Sequence, residues 1–397
     1  MSTTSTAGTT STAGTTGTTG TAGTASTADA PGAPRTRGTP GAAAPAPRTV
    51  LAGIPAYVPK PPAPPAEGPS HRLFLNENPY PPLPSVREAI ARAAAQSNHY
   101  PTIHPERLTD ALARRLDVPR GHLVTGPGSV GIYQQVGQAM LEPGDEVVYA
   151  WPSFEAYPIV ARMAGAVPVE VPLAEGVHDL DAMAAAITPR TRAVFLCEPN
   201  NPTGTAVGTA ELERFLDRVP GDVLVVLDEA YFEFYRSPGA ADGVALHHER
   251  PNLLVLRTFS KAYGLAGLRV GYGVAQPVIA EALRKCAVPC GVGRIAEEAA
   301  LAALSVETEL FERVERIVAE RERTREALLG LGWEVLPSET NFLWLATGEA
   351  ESVAARWERR GLLVRAFPGS GLRVTLGSPD ANDLLITAAK ETAPPAR

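Results

Sequence analysis

Between residues 146 and 275 the chain repeats one pattern: a short Val/Leu-rich run bounded by Gly, Pro or polar residues, then a connection most often long enough to hold a helix. The runs are "EVVYA" (146–150), "VPVEVP" (167–172), "AVFLCEP" (193–199), "VLVVLDEA" (223–230), "LLVLRTFS" (253–260) and "RVGYGVA" (269–275). Short continuous apolar runs of this kind predict strands covered on both faces. Crossover helices between them predict that the strands run mostly parallel. The expected fold class is therefore α/β, a mostly parallel sheet with helices on both faces. In such sheets ligands sit beyond the carboxyl ends of the strands, so the residues just after each run are the ones to read for chemistry.

The pattern changes after about residue 285. Residues 305–329 read as one amphipathic helix, with Leu310, Val314, Ile317, Val318 and Leu328 among its apolar positions and Gly330 as its stop. "NFLWLA" (341–346), "GLLVRAF" (361–367) and "LRVTLGS" (372–378) read as strands of a smaller α+β domain. The expected organisation is a tail (1–47), an N-terminal arm (48–80), a large domain (81–285) and a small C-terminal domain (286–397).

The tail is almost wholly Thr, Ala, Gly and Ser, which cannot bury enough surface to offset the entropy of ordering, so it reads as disordered. With neither a basic start nor an apolar central run, it does not read as a secretory signal. A net charge of −7 without a basic stripe argues against a nucleic-acid partner. No apolar run is long enough to cross a bilayer, so no membrane partner is expected. Three cysteines, Cys197, Cys286 and Cys290, form no framework and imply a reducing, cytoplasmic setting. No second Cys/His pair accompanies Cys286 and Cys290, and no metal site is expected.

Three successive strands run into polar residues. "AVFLCEP" leads to "NNPTG" (200–204), "VLVVLD" ends on Asp228 with Tyr231 close behind, and "LLVLRTFS" ends at Thr258, Ser260 and Lys261. Singly these are a turn signal, a helix cap and a surface lysine. Together they meet the needs of a pyridoxal phosphate site: a lysine for the Schiff base, an acid for the pyridinium nitrogen and a donor for the phenolic oxygen. "TGPGSVGIYQQ" (125–135) adds a Gly-rich turn before a helix starting near Ser129, whose N–H groups can cradle a phosphate.

"NNPTG", "DEAY" and "TFSKAYGLAGLRVGY", in this order, resemble the fold-type I pyridoxal-phosphate aminotransferases of the class I/II group, over roughly residues 50–390. The resemblance implies that Lys261 carries the cofactor and shuttles the substrate proton, and that Asp228 holds the pyridinium nitrogen. It assigns Asn201 and Tyr231 to the phenolic oxygen, and Thr258, Ser260, Arg269 and the backbone at Ser129 and Val130 to the phosphate. Phe154 in "WPSFEAYP" would stack on the ring. Tyr100 in "NHYP" would reach the phosphate of a neighbouring subunit, implying a homodimer. Arg373 of "LRVT" would bind the substrate's anionic group, with Arg365 as a second candidate that an ordinary ion pair would explain equally well.

Two branches of the group compete. "GSVGIYQQ", "WPSFEAYPI" and the compact "RAFPGSGLR" resemble the aromatic (phenylalanine-type) aminotransferases, which implies transfer between an aromatic L-amino acid and 2-oxoglutarate. Histidinol-phosphate aminotransferase is the alternative, and pyridoxal-phosphate decarboxylation shares the same motifs. Cys290 stands where relatives carry an aromatic residue, which bears on the substrate pocket.

Overall fold

The computed structural model describes residues 46–54 and 70–393. The expected disordered tail lies outside the described residues except for its last two. Strand β1 (His71–Leu73) is followed by β2 (Leu123–Gly126), β3 (Glu146–Trp151), β4 (Val167–Pro172), β5 (Thr191–Cys197), β6 (Leu224–Asp228), β7 (Leu253–Thr258) and β8 (Gly271–Val274). The last seven form one sheet in the order β2-β8-β7-β6-β5-β3-β4. All neighbours are parallel except β8, which runs antiparallel to both β7 and β2.

The pleat explains why the apolar runs are continuous. Successive side chains point to opposite faces. Val148, Val194, Leu196, Val225, Leu227 and Val255 pack into one core. Their neighbours Val147, Phe195, Val226, Leu254 and Leu256 pack into another on the far side. The expectation of burial on both faces fails at β4, where Val167, Glu170 and Pro172 are exposed. It is the edge strand, and its two prolines fit a position where one side needs no ladder hydrogen bonds.

The second sheet has the order β1-β11-β12-β10-β9, with β9 (Glu334–Val335), β10 (Phe342–Ala346), β11 (Leu362–Phe367) and β12 (Gly371–Thr375). Strand β1 pairs parallel with β11, so the described end of the arm is held by the C-terminal sheet. The long helix spans Glu307–Gly330, and a separate helix, Arg294–Ser305, precedes it. Its buried stripe holds Leu310, Val314, Ile317 and Leu328 but also Arg321, whose guanidinium donates to the carbonyls of Phe234 and Thr340. That arginine fastens the helix to the segment after β6 and to the one before β10. Among the described residues no helix is long and apolar enough to cross a membrane.

His178 is buried with Nε2 donating to the Cys197 carbonyl at 2.7 Å, and burial pushes its imidazole down to about 4. A folded value below the unfolded value of about 6.5 gives stability that is present above pH 6.5 and lost as pH falls toward 4. The stability difference between wild type and His178→Gln, from denaturant unfolding, is expected to shrink by about 2 kcal/mol between pH 7.5 and pH 5. A pH-independent difference would contradict a neutral buried imidazole.

Candidate active site

Strand direction decides which side chains meet. Strands β5, β6 and β7 are parallel, and their register sets Cys197 beside Asp228 and Asp228 beside Leu256. The residues after each strand therefore emerge at one edge. Strand β8 is antiparallel, so the residues before it, including Arg269, lie at that same edge. Strand β2 delivers the helix Gly128–Ala139 there, and β3 delivers Phe154.

Asp228 shares the face of Leu224 and Val226, and points toward Tyr133. The Tyr133 hydroxyl donates to its Oδ2 at 3.2 Å and the Ala230 N–H to its Oδ1 at 3.1 Å. Burial raises its carboxyl to about 6, opposed by these two hydrogen bonds. The next residue, Glu229, is buried in an ion pair with Arg257 of β7 at 2.8 Å. It also accepts from the Gly243 N–H at 2.7 Å. Removing one partner of such a pair costs about 3–5 kcal/mol, so the pair locks β6 to β7 directly beneath the site.

Lys261 donates from Nζ to the carbonyls of Leu75 and Asn76, both at 3.1 Å. Burial, with the positive charges of Arg373 and Arg269, pushes the amine down to about 7. A neutral amine has two N–H bonds and one lone pair. With both N–H groups given to carbonyls, the lone pair is left for the cavity. Neighbouring carbonyls of an extended strand point to opposite sides, so two in succession can meet one nitrogen only where the chain turns. Asn76, at φ 54, is that turn.

At the other end, Arg269 Nη1 donates to Ser260 Oγ at 3.3 Å, and Thr258 Oγ1 donates to the same oxygen at 2.9 Å. The helix Gly128–Ala139 is capped by Pro127 without a side-chain hydrogen bond, leaving the N–H groups of its first turn for a ligand. Gly128 has φ 75, and a Cβ there would stand 2.3 Å from Arg269 Nη2. In "NNPTG" the two asparagines divide the work. Asn200 builds the turn, accepting from Ser153 and donating to Thr203, while Asn201 faces the cavity and accepts from Arg373 Nη1 at 2.5 Å.

A cavity of about 480 Å³ is lined by Lys261, Asp228, Tyr231, Asn201, Phe154, Ser129, Val130, Thr258, Ser260, Arg269 and Arg373. Two sequence-derived candidates do not line it. Tyr100 is 88 % exposed and is not among the residues that line this chain's own cavity. Arg365 lies opposite Arg373 in the β11–β12 register and pairs with Glu155, a residue of the cavity wall, at 2.5 Å. Cys290 has φ 58, contacts the Pro101 carbonyl and does not line the cavity. Sequence reasoning missed Tyr133, Glu155, Leu75, Asn76 and Glu77. The last three stand in "LNENP", a Pro-flanked stretch before the first helix that carries no strand-end signal.

These residues fit pyridoxal phosphate. Asp228 is a buried acid with no cation bonded to it, and a protonated ring nitrogen would be its counterpart. Thr258, Ser260, Arg269 and the helix start would form an anion cradle, in which a Cβ at Gly128 would force the Arg269 guanidinium to move. The Nε of Arg373 is buried and has no hydrogen-bond partner among the described residues.

Residues 72–388 match the family "Aminotransferase class I and II". The chain is 56 % identical over 347 residues to an aromatic amino acid aminotransferase of Streptomyces coelicolor, covering 87 % of this chain and 96 % of the relative. It is 54 % identical to one from Thermobifida fusca, covering 86 % and 96 %. Among solved structures, histidinol-phosphate aminotransferase from Sinorhizobium meliloti in complex with pyridoxal-5'-phosphate superposes with a TM-score of 0.77 at 31 % identity, covering 82 % of this chain and 90 % of that one.

Gly128→Ala is expected to weaken pyridoxal phosphate binding about tenfold or more, since the added methyl displaces Arg269 and strains a left-handed residue by roughly 1–2 kcal/mol. Absorbance titration of the cofactor-free protein measures this, and unchanged affinity would remove Arg269 from the phosphate cradle.

Proposed function

The chain belongs to the class I and II aminotransferases, and we propose that its amino donor is an aromatic L-amino acid and its acceptor 2-oxoglutarate. It is a pyridoxal-phosphate-dependent transaminase. The observation that carries the substrate reading is the 56 % identity to a relative named for aromatic amino acids, against 31 % to the histidinol-phosphate structure. Arg373 agrees with it, because an aromatic amino acid presents a carboxylate to a guanidinium edge and histidinol phosphate has none. Histidinol phosphate remains the second reading, since its ester phosphate is also an anion and the superposition is with an enzyme of that name.

When bound, pyridoxal phosphate supplies a carbonyl that condenses with amines and a ring that accepts the electron pair left at the substrate Cα. In our reading Asp228 keeps the ring nitrogen protonated, and Asn201 and Tyr231 hold the phenolic oxygen. Phe154 covers the ring face. Ser129, Val130, Thr258, Ser260 and Arg269 hold the phosphate. Lys261 Nζ would take the proton from the donor's Cα. Burial and the two arginines hold its amine down to about 7, which favours the neutral, proton-accepting form near neutral pH. Arg373 orients the substrate through its carboxylate. Arg365, already paired with Glu155 and outside the cavity lining, is left with the ion-pair reading.

We further propose a cytoplasmic homodimer, each chain divided into arm (48–80), large domain (81–285) and small domain (286–397). Tyr100 would enter the neighbour's site, and its exposure beside Ile103 and Val288, also exposed, supports that reading.

Phenylalanine added to the cofactor-loaded protein is expected to bleach the cofactor absorbance, and histidinol phosphate to leave it. The reverse pattern would move the chain to the second reading. Mixing Tyr100→Phe with Lys261→Ala chains is expected to restore up to about a quarter of wild-type activity through hybrid dimers that keep one intact site. No restoration would contradict a shared site.

A further inference from the structure

Asn76 is the most heavily engaged residue of the cavity wall, and no sequence motif marked it. It is 2 % exposed and held in the left-handed region. Its N–H donates to Thr375 Oγ1 at 3.0 Å, and its Oδ1 accepts from that same hydroxyl at 3.1 Å. Its Nδ2 donates to the Tyr231 hydroxyl oxygen at 2.8 Å. Its carbonyl accepts from Lys261 Nζ and, at 3.2 Å, from Asn341 Nδ2.

The orientation of the amide is fixed by these bonds. The Thr375 hydroxyl already accepts from the Asn76 N–H, so its own proton needs an acceptor, and Oδ1 supplies it. Turning the amide over would leave that buried proton facing an NH2 group. The NH2 therefore faces Tyr231. A phenol that accepts there keeps its own proton for another partner, and the cavity is the side on which Tyr231 is open. Asparagine is suited to this task, because it tolerates φ 54 while offering a donor and an acceptor on one side chain.

We propose that Asn76 is a positioning residue that makes Tyr231 a hydrogen-bond donor toward the cavity. The inference rests on the reading of Tyr231 as a partner of the cofactor's phenolic oxygen. Thr375 and Asn341 belong to the second sheet and its approach, and Tyr231 comes just after a strand of the first. Asn76 thus transmits the placement of one sheet to the proton of a residue on the other.

A donor to an anionic oxygen lowers the pH at which the bound cofactor changes its absorbance, and losing the donor raises it. Asn76→Gly removes the amide but keeps both the left-handed turn and the carbonyl that meets Lys261. Its absorbance midpoint is expected to rise by about 0.5–1 pH unit, the worth of one such hydrogen bond. Asn76→Asp, whose carboxylate would draw the phenolic proton to itself, is expected to raise it at least as far. In the Tyr231→Phe background Asn76→Gly should not move the midpoint further, because the residue it acts through is gone. Near-ultraviolet circular dichroism of the same samples confirms that each variant is folded.

A midpoint unmoved by Asn76→Gly, with Tyr231→Phe raising it, would overturn the inference and leave the reading of Tyr231 standing. An equal shift with and without the Tyr231 hydroxyl would also overturn it. A midpoint unmoved by Tyr231→Phe itself would overturn both.

Discussion

The backbone ladder joining β5, β6 and β7 is the constraint on which the site depends. Parallel neighbours lie about 4.8 Å apart, and their register puts Cys197, Asp228 and Leu256 side by side. The segments leaving those strands, from Asn201 to Lys261, are confined to one edge before any side-chain contact is made. The buried Arg257–Glu229 pair holds that register from below, joining "DEAY" to "RTFSK" through charge. The site needs the ladder more than the ladder needs the site.

Burial sets the chemistry of the two central groups in opposite directions. It lowers Lys261 to about 7 and raises Asp228 to about 6, so an amine and a carboxyl that differ widely in water approach each other near neutrality. The arginines at either end of the cavity act in the same sense on Lys261. Arg269 stands with the hydroxyls of the anion cradle, and Arg373 reaches from the second sheet to Asn201 and the Phe74 carbonyl. The second sheet is therefore part of the candidate site and not a separate cover. It supplies Arg373 directly and, through Thr375, Asn341 and Asn76, steadies Tyr231 and Lys261.

Much of this was legible in the residues. The apolar runs named six strands of the main sheet within a few residues. The polar residues beyond them pointed to Asn201, Asp228, Tyr231 and Lys261, which line one cavity, because a strand that ends in a charged or amide side chain departs from what a buried sheet requires. The short β2 carries a weaker signal: its four residues run at once into a Gly-rich turn, which overshadows so brief an apolar run. Tyr133 was hidden for another reason. It lies on a helix where an aromatic reads as core, and only the parity of β6 turns Asp228 toward it. "LNENP" reads as a loop, yet Asn76 is as buried as the core strands.

The sequence by itself determined the layered fold, the strand edge where chemistry gathers and the identity of most groups there, because hydrophobic periodicity and the residues that interrupt it are local properties. Only the tertiary structure decided three other matters. The antiparallel course of β8 brings Arg269 to the same edge as Lys261. The pairing of Arg365 with Glu155 sets it apart from Arg373. The left-handed turn at Asn76 joins two sheets around one phenol and one amine. Each depends on chain direction or on contacts between residues about two hundred or more positions apart, and no local pattern carries that information.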